Sequence, residues 1–116
     1  MKKLIINKKQ GVYALSLDEI VYMEKELRKI RVYLNDGTIE FYGRFPDIMP
    51  YLDRRFMCCH RSYVINMDKI VIMSCNTIFM ENNERIYMGR DTYGRARKIF
   101  VEYLAKKSGQ ILRKTL

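Results

Sequence analysis

An alternation of apolar and polar side chains runs through residues 30–34 and resumes in residues 38–42, with the tripeptide Asn35-Asp36-Gly37 between the two runs. A period of two places the apolar side chains on one face of a strand. Glycine accepts the positive φ that a tight turn between two strands needs. This segment therefore predicts a β-hairpin with one apolar face.

The same strand-like pattern covers most of the chain up to Gly89. Helical spacing of apolar residues predicts one short helix within residues 43–55, which Pro50 limits because a proline ring removes a helical hydrogen bond. An amphipathic helix is predicted over residues 91–107. The sequence thus predicts a mainly β fold of short antiparallel strands with one short helix and a C-terminal helix. Short apolar or alternating runs predict the other strands over residues 4–7, 12–17, 20–24, 56–65, 70–73, 77–80 and 85–88.

The sequence also predicts the role or the burial of several individual side chains. Asn66 is expected to cap or turn the chain after its strand, because its side chain can bond to nearby backbone groups. Aromatic residues in alternating strands are expected in the core, namely Tyr42, Phe56, Tyr63, Phe79 and Phe100.

The length of 116 residues and a hydrophobic content of 48% fit one globular domain. We expect a single domain over residues 1–107 and a basic C-terminal tail over residues 108–116. No apolar run approaches the length of a membrane span, and the apolar segment after the N-terminal lysines is too short for a secretory signal. The expected location is therefore the cytoplasm. The sequence shows no repeat of solenoid length.

The formal net charge is +9, and much of the basic excess lies in residues 90–116, which carry eight Lys or Arg against two Asp or Glu. Such a bias attracts polyanions, whether nucleic acid, anionic lipid or acidic protein. A basic surface that only aids solubility would give the same composition.

The number, spacing and positions of the three cysteines do not favour a disulfide framework, a metal site or a catalytic thiol. Cys58, Cys59 and Cys75 are odd in number and lack CxxC spacing, so we expect reduced and mostly buried thiols. Neighbours on a strand point to opposite faces, so Cys59 and His60 are poorly placed as nucleophile and base. The sequence has no P-loop and no GxGxxG motif after a strand. We therefore expect no enzyme activity, no metal site and no cofactor.

The segment 53–70, DRRFMCCHRSYVINMDKI, places basic and polar residues inside an apolar-alternating run. Together with the preceding DGTIEFYGRF and the strand after Ile70, it resembles the LytTR family, the DNA-binding output domain of many bacterial response regulators. The resemblance covers about residues 5–100. It implies an elongated, mainly antiparallel β architecture that inserts loop residues into successive major grooves of a repeated DNA site.

The resemblance also implies which residues contact DNA. The turn before Ile30 would supply Arg28 and Lys29, and the segment around the histidine would supply His60 and Arg61. The last contact would come from Arg90 in the segment after Tyr87, with Arg95 as the competing candidate in a different register beyond Gly89. Where many family members have Ser or Thr at the end of the last strand, this chain has Gly89.

The favoured function is a sequence-specific, double-stranded-DNA-binding transcription regulator, either the output domain of a two-component response regulator or a free-standing regulator. Paired sites could be bound by two copies, and the sequence leaves open whether these form a homodimer. The main alternative is a protein-interaction module whose Tyr-rich surface and basic tail bind an acidic partner. An RNA binder would need an RNP-like aromatic pattern, which is not found here.

Overall fold

The computed structural model describes residues 2–115. These residues form ten strands and two α-helices, with three short 3-10 helices between them. The first helix, α1, spans Phe45–Ile48, and the second, α2, spans Arg90–Ser108. The strands are β1 (Lys3–Lys8), β2 (Gly11–Ser16), β3 (Ile20–Glu26), β4 (Lys29–Leu34), β5 (Gly37–Tyr42), β6 (Phe56–His60), β7 (Tyr63–Asn66), β8 (Ile70–Ser74), β9 (Thr77–Met80) and β10 (Arg85–Tyr87).

The strands form three antiparallel sheets. Strands β1 and β2 pair alone, the central sheet has the order β5-β4-β3-β7-β6, and the third sheet has the order β10-β9-β8. The predicted hairpin around Asn35-Asp36-Gly37 is confirmed, since Leu34 pairs with Gly37, whose φ is +119°. The run predicted as extended over residues 56–65 is divided, because a turn at Arg61 and Ser62 separates β6 from β7.

The central sheet lies between two apolar cores. Ile20 and Met23 of β3 pack into a core with β1, β2 and α1. Val21 and Tyr22 of the same strand pack into a second core with β9, β10 and α2. The molecule measures 53 × 30 × 25 Å along its principal axes, which agrees with the predicted elongated, mainly β architecture.

Residues 13–23 and 63–73 have the same local structure. In each, a strand ends at a polar residue, Ser16 or Asn66, whose side chain accepts a hydrogen bond from the backbone N–H two residues later. A 3-10 turn follows, and the pairing register of the next strand shifts at Val21 in β3 and at Val71 in β8. Both segments share Tyr, Asp, Ile, Val and Met at matching positions. The chain therefore contains an internal structural repeat that the strand pattern alone did not reveal.

The two prolines and Gly109 lie at helix ends, and the predicted limit that Pro50 sets on the first helix is confirmed. Pro46 lies in the first turn of α1, and the helix gives way to a 3-10 turn over Met49–Tyr51 that contains Pro50. Helix α2 ends at Gly109, which takes a left-handed φ of +67°. Within residues 2–115, no helix combines the length and the apolar character that crossing a membrane requires.

Two expectations about burial are wrong. Tyr42 is 76% exposed, because it ends β5 at the edge of the central sheet. Cys58 and Cys75 are exposed and only Cys59 is partly buried. Cys58 faces solvent from the edge strand β6, and Cys75 lies in the turn between β8 and β9 with a φ of +52°.

The predicted role of Asn66 is confirmed, since it caps the 3-10 turn after β7. The division into a domain over residues 1–107 and a tail over residues 108–116 stays a prediction. Its outermost residues, Met1 and Leu116, lie outside the described residues. Residues 109–115 have no regular secondary structure and are mostly exposed.

Candidate nucleic-acid interface

The turn between β3 and β4 presents the first pair of predicted residues. Leu27 and Arg28 form this turn, and Leu27 takes a φ of +57°, a conformation that side chains with a Cβ rarely adopt. The backbone N–H of Gly43 donates to the carbonyl of Arg28 at 3.0 Å, which holds the turn against the end of β5. Arg28 is exposed, and no acceptor within residues 2–115 binds its guanidinium.

Lys29 is less free than Arg28. Its Nζ lies 3.7 Å from a carboxylate oxygen of Glu40 and 5.9 Å from the centre of the Tyr42 ring. Hydrogen bonding and charge from Arg31 lower the pKa of Glu40, and Lys29 lowers it further. Glu40 is therefore a carboxylate that Lys29 shares with Arg31, so binding of Lys29 to another anion would compete with this pair.

The turn between β6 and β7 presents His60 and Arg61. Nδ1 of His60 accepts a hydrogen bond from the backbone N–H of Ser62 at 3.0 Å, and its ring centre lies 5.3 Å from that of Tyr63. A neutral imidazole that accepts at Nδ1 carries its proton on Nε2, which makes the outer nitrogen a donor. Arg61 is exposed at the tip of the turn.

These two turns lie at the same end of the central sheet. Glu24 of β3 pairs with Tyr63 of β7, and the backbone N–H of Lys25 donates to the carbonyl of Ser62 at 2.8 Å. The end of β3 therefore runs beside the start of β7. The structure brings the turn of Arg28 and Lys29 next to the turn of His60 and Arg61.

The two remaining candidates lie on α2. Arg90 is its first residue and is exposed, directly after Gly89, which offers no side-chain cap. Arg95 lies further along the helix, with a guanidinium nitrogen 3.4 Å from the hydroxyl of Thr92. Burial raises the pKa of Cys59, and the positive charge of Arg95 opposes that rise. The charge of Arg95 is therefore felt at Cys59 of β6.

A hydrogen-bonded group that sequence reasoning missed links these strands. The carboxylate of Glu24 accepts from the hydroxyls of Tyr33 at 3.0 Å and Tyr63 at 3.3 Å. The alternation of apolar and polar residues along β3 predicts only that the side chain of Glu24 lies outside the apolar cores. It does not predict hydrogen bonds to Tyr33 and Tyr63.

The geometry of this region gives little support for thiol catalysis or metal binding. The Sγ of Cys58 lies 3.9 Å from the carbonyl oxygen of its neighbour His60, and the imidazole Nδ1 is occupied by Ser62. Among residues 2–115, no group of three or more His, Cys, Asp or Glu side chains is arranged to hold a metal ion.

Comparison with solved structures supports the fold. The chain superposes on the LytTr DNA-binding domain of a putative methyl-accepting/DNA response regulator from Bacillus cereus with a TM-score of 0.70. The two sequences are 20% identical, and the match covers 85% of this chain and 96% of the other.

Sequence relatives include the accessory gene regulator protein A of Staphylococcus aureus strain N315 and its counterpart in Staphylococcus epidermidis strain ATCC 35984. Each is 31% identical over 74 residues, which is 60% of this chain and 31% of the relative. The chain thus matches about a third of the length of these proteins. The sequence profile of the LytTr DNA-binding domain matches residues 10–100. This chain therefore belongs to the LytTR family of DNA-binding domains.

Proposed function

We propose that this chain is a transcription regulator that binds double-stranded DNA in a sequence-specific manner. It acts either as the output domain of a two-component response regulator or as a free-standing regulator. The family match supports DNA binding, and the staphylococcal relatives are named as gene regulators. Repeated sites on the duplex, bound by one or more copies, belong to the same proposal.

The observation that carries the proposal is the placement of two basic turns at one end of the central sheet. Arg28 and Arg61 are both exposed there. Within the described residues, neither guanidinium is committed to a carboxylate. Arginine can make two parallel hydrogen bonds to the edge of a guanine in the major groove. Two such side chains on adjacent turns form a surface that can read bases.

The other candidates suit contacts to phosphate, to single acceptors or, for one of the two arginines on α2, to a base. The Nε2 donor of His60 can bond to a base acceptor or a phosphate oxygen. Lys29 adds positive charge at the start of β4, and Arg90 and Arg95 add positive charge on the first half of α2. Phosphate contacts of this kind supply salt-dependent affinity that is independent of sequence.

The test is a binding titration with a duplex selected from a random pool and with a random duplex, each at two salt concentrations. Replacing Arg61 by Ala should weaken binding to the selected duplex by roughly 1–3 kcal/mol if the side chain holds a base bidentately. Arg90→Ala should give the same loss if Arg90, rather than Arg95, reads a base. The variant Arg95→Ala, measured in parallel, decides between them.

Arg85→Ala is the matched control, because Arg85 is exposed at the other end of β10 from Arg90. It should leave the preference for the selected duplex unchanged. Equal weakening on both duplexes would reassign the mutated arginine to phosphate contact. If wild-type protein showed no preference for any duplex, sequence-specific binding would be refuted, and an acidic protein partner would become the better proposal.

A further inference from the structure

Glu24 occupies a partly buried position near the end of β3, between the two strands that flank it. One carboxylate oxygen accepts from Tyr33 of β4 and the other from Tyr63 of β7. The two hydrogen bonds lie on opposite sides of β3, one toward β4 and the other toward β7. A single side chain thus connects three adjacent strands of the central sheet.

On the β7 side, Glu24 acts on the turn that carries Arg61. Tyr63 is the first residue after this turn, and its ring lies against His60 at a centre-to-centre distance of 5.3 Å. The carbonyl of Ser62, inside the turn, accepts from the N–H of Lys25, the residue after Glu24. The turn is therefore held to β3 by one side-chain bond and one backbone bond.

On the β4 side, the same carboxylate fixes the strand that begins directly after Arg28. The hydroxyl of Tyr33 donates to Glu24 and accepts from Nη1 of Arg31 at 3.3 Å. Nε of Arg31 in turn donates to Glu40 of β5 at 2.7 Å. The ring of Tyr33 also stacks on Tyr22 with ring centres 4.2 Å apart. Polar and aromatic contacts therefore run from β7 to β5 through Glu24.

We infer that Glu24 is a positioning residue that sets the spacing between the Arg28 turn and the Arg61 turn. The inference rests on the proposed DNA-binding function and concerns its sequence specificity. Hydrogen bonds to base edges weaken steeply when donors move out of line. Phosphate contacts by flexible, exposed cations depend less on exact position. Loss of the Glu24 bonds should therefore reduce discrimination between DNA sequences more than overall affinity.

The protonation of Tyr63 agrees with this arrangement. Burial raises the pKa of Tyr63, and the negative charge of Glu24 raises it further. The hydroxyl therefore remains a donor to the carboxylate over the whole physiological pH range.

The experiment compares Glu24→Gln with Glu24→Leu in the full chain. Both variants remove the same negative charge, so the general electrostatic attraction to DNA changes equally. The glutamine amide offers one acceptor and one donor group, and a tyrosine hydroxyl can bond with either. Leucine can bond with neither. The readout is the ratio of the Kd for a random duplex to the Kd for a duplex selected by the wild-type protein.

We expect Glu24→Gln to retain the wild-type ratio. We expect Glu24→Leu to lower the ratio about fivefold or more, on the scale where a tenfold change in Kd corresponds to 1.4 kcal/mol. Glu19→Leu is the control for an apolar replacement with the same change of charge, since Glu19 is exposed just before β3, at the other end of this strand from the Arg28 turn. It should leave the ratio unchanged. An unchanged ratio in Glu24→Leu, or an equal fall in Glu24→Gln, would overturn the inference.

A second variant covers the case in which Glu24→Leu fails to fold. Tyr63→Phe keeps the ring against His60 and removes only the hydroxyl that donates to Glu24. The Kd ratio of this variant should fall while its thermal unfolding stays cooperative, and a ratio equal to that of wild type would contradict the inference. If the wild-type protein itself gave a ratio of one, the proposed function would be refuted, so the two failures are distinguishable.

Discussion

Asn66 is a polar side chain with no exposed surface, and all of its bonds can be traced. Its Nδ2 donates to the carbonyl of Ile20 at 2.8 Å, and its Oδ1 accepts from the N–H of Asp68 at 2.9 Å. It thus joins the end of β7 to the start of β3 and caps the following turn. Ser16 holds the matching place in the internal repeat, but within residues 2–115 its hydroxyl makes the capping bond alone, at 3.3 Å.

This difference predicts how substitutions of Asn66 change the free energy of unfolding. Asn66→Ser should keep the cap but leave the buried Ile20 carbonyl without its partner, which costs about 1–3 kcal/mol of unfolding free energy. Asn66→Ala should cost about 1 kcal/mol more because the cap is lost as well. Urea unfolding measures both values. Ser16→Ala provides the control for the cap alone, and an Asn66→Ser variant as stable as wild type would contradict the assignment.

At the scale of elements, α2 is fastened to the 3-10 turn before β8 by one carboxylate. Asp68 Oδ1 accepts from the hydroxyl of Tyr103 at 2.7 Å and from Nζ of Lys107 at 2.6 Å. Burial on its own would raise the pKa of Asp68, but these two hydrogen bonds lower it below the ordinary value of 3.8. The end of α2 is therefore held by an ionised Asp68.

A depressed carboxyl pKa sets the sign of the pH dependence. The stabilisation is fully present above pH 3.8 and is lost as the pH falls through the lower pKa of the folded state. Asp68→Asn should therefore cost about 1 kcal/mol of unfolding free energy at pH 6, as partly exposed ion pairs do. The difference from wild type should shrink toward zero below pH 3.8.

Denaturant titrations across this pH range measure that difference. Glu102→Gln is the control, because Glu102 is exposed on the same helix and its charge change is the same. A loss of stability in Asp68→Asn that did not vary with pH would show that packing, rather than the charge of Asp68, holds the helix.

At the scale of the whole molecule, the basic excess is distributed between the folded body and the C-terminal residues. Arg113 and Lys114 lie beyond α2 in an exposed segment without regular structure. Charges of this kind strengthen binding to a polyanion without selecting its sequence. Most discrimination between DNA sites should therefore come from the folded body.

Removal of residues 110–116 tests this division. The melting temperature and the preference for a selected duplex should both remain at their wild-type values. The slope of log K against log salt should become shallower by at most about 2, since about 0.9 is lost for each phosphate contact. Thermal unfolding and titrations at several salt concentrations measure these quantities. A lower melting temperature would show that the segment contributes to the fold.

Much of the fold could be predicted because the deciding signals are local. The turn at Gly37, the proline-limited helix α1 and the amphipathic stripe of α2 each depend on neighbouring residues only. The burial of Tyr42 and Cys58 was predicted wrongly because burial depends on sheet order, and that of Cys75 because it lies in a turn. Alternation does not tell which strands lie at an edge.

The candidate site shows the same limit. The turn that carries Arg28 was predicted from the sequence, whereas the turn that carries Arg61 divides a run predicted as extended. That these turns are neighbours depends on the pairing of β3 with β7 across about forty residues of chain, which no local pattern encodes. The bonds of Glu24 to Tyr33 and Tyr63 were missed for this reason.

The internal repeat has a consequence for how the chain can be divided. Strand β3 from the first half pairs on one side with β7 from the second, whereas β8 at the matching position pairs only with β9. A fragment ending at Tyr42 would leave the backbone groups of β3 open along that side, and such edges invite association between molecules. The two halves share one sheet, so a fragment of a single repeat should associate through the strand edge that β7 covers in the whole chain.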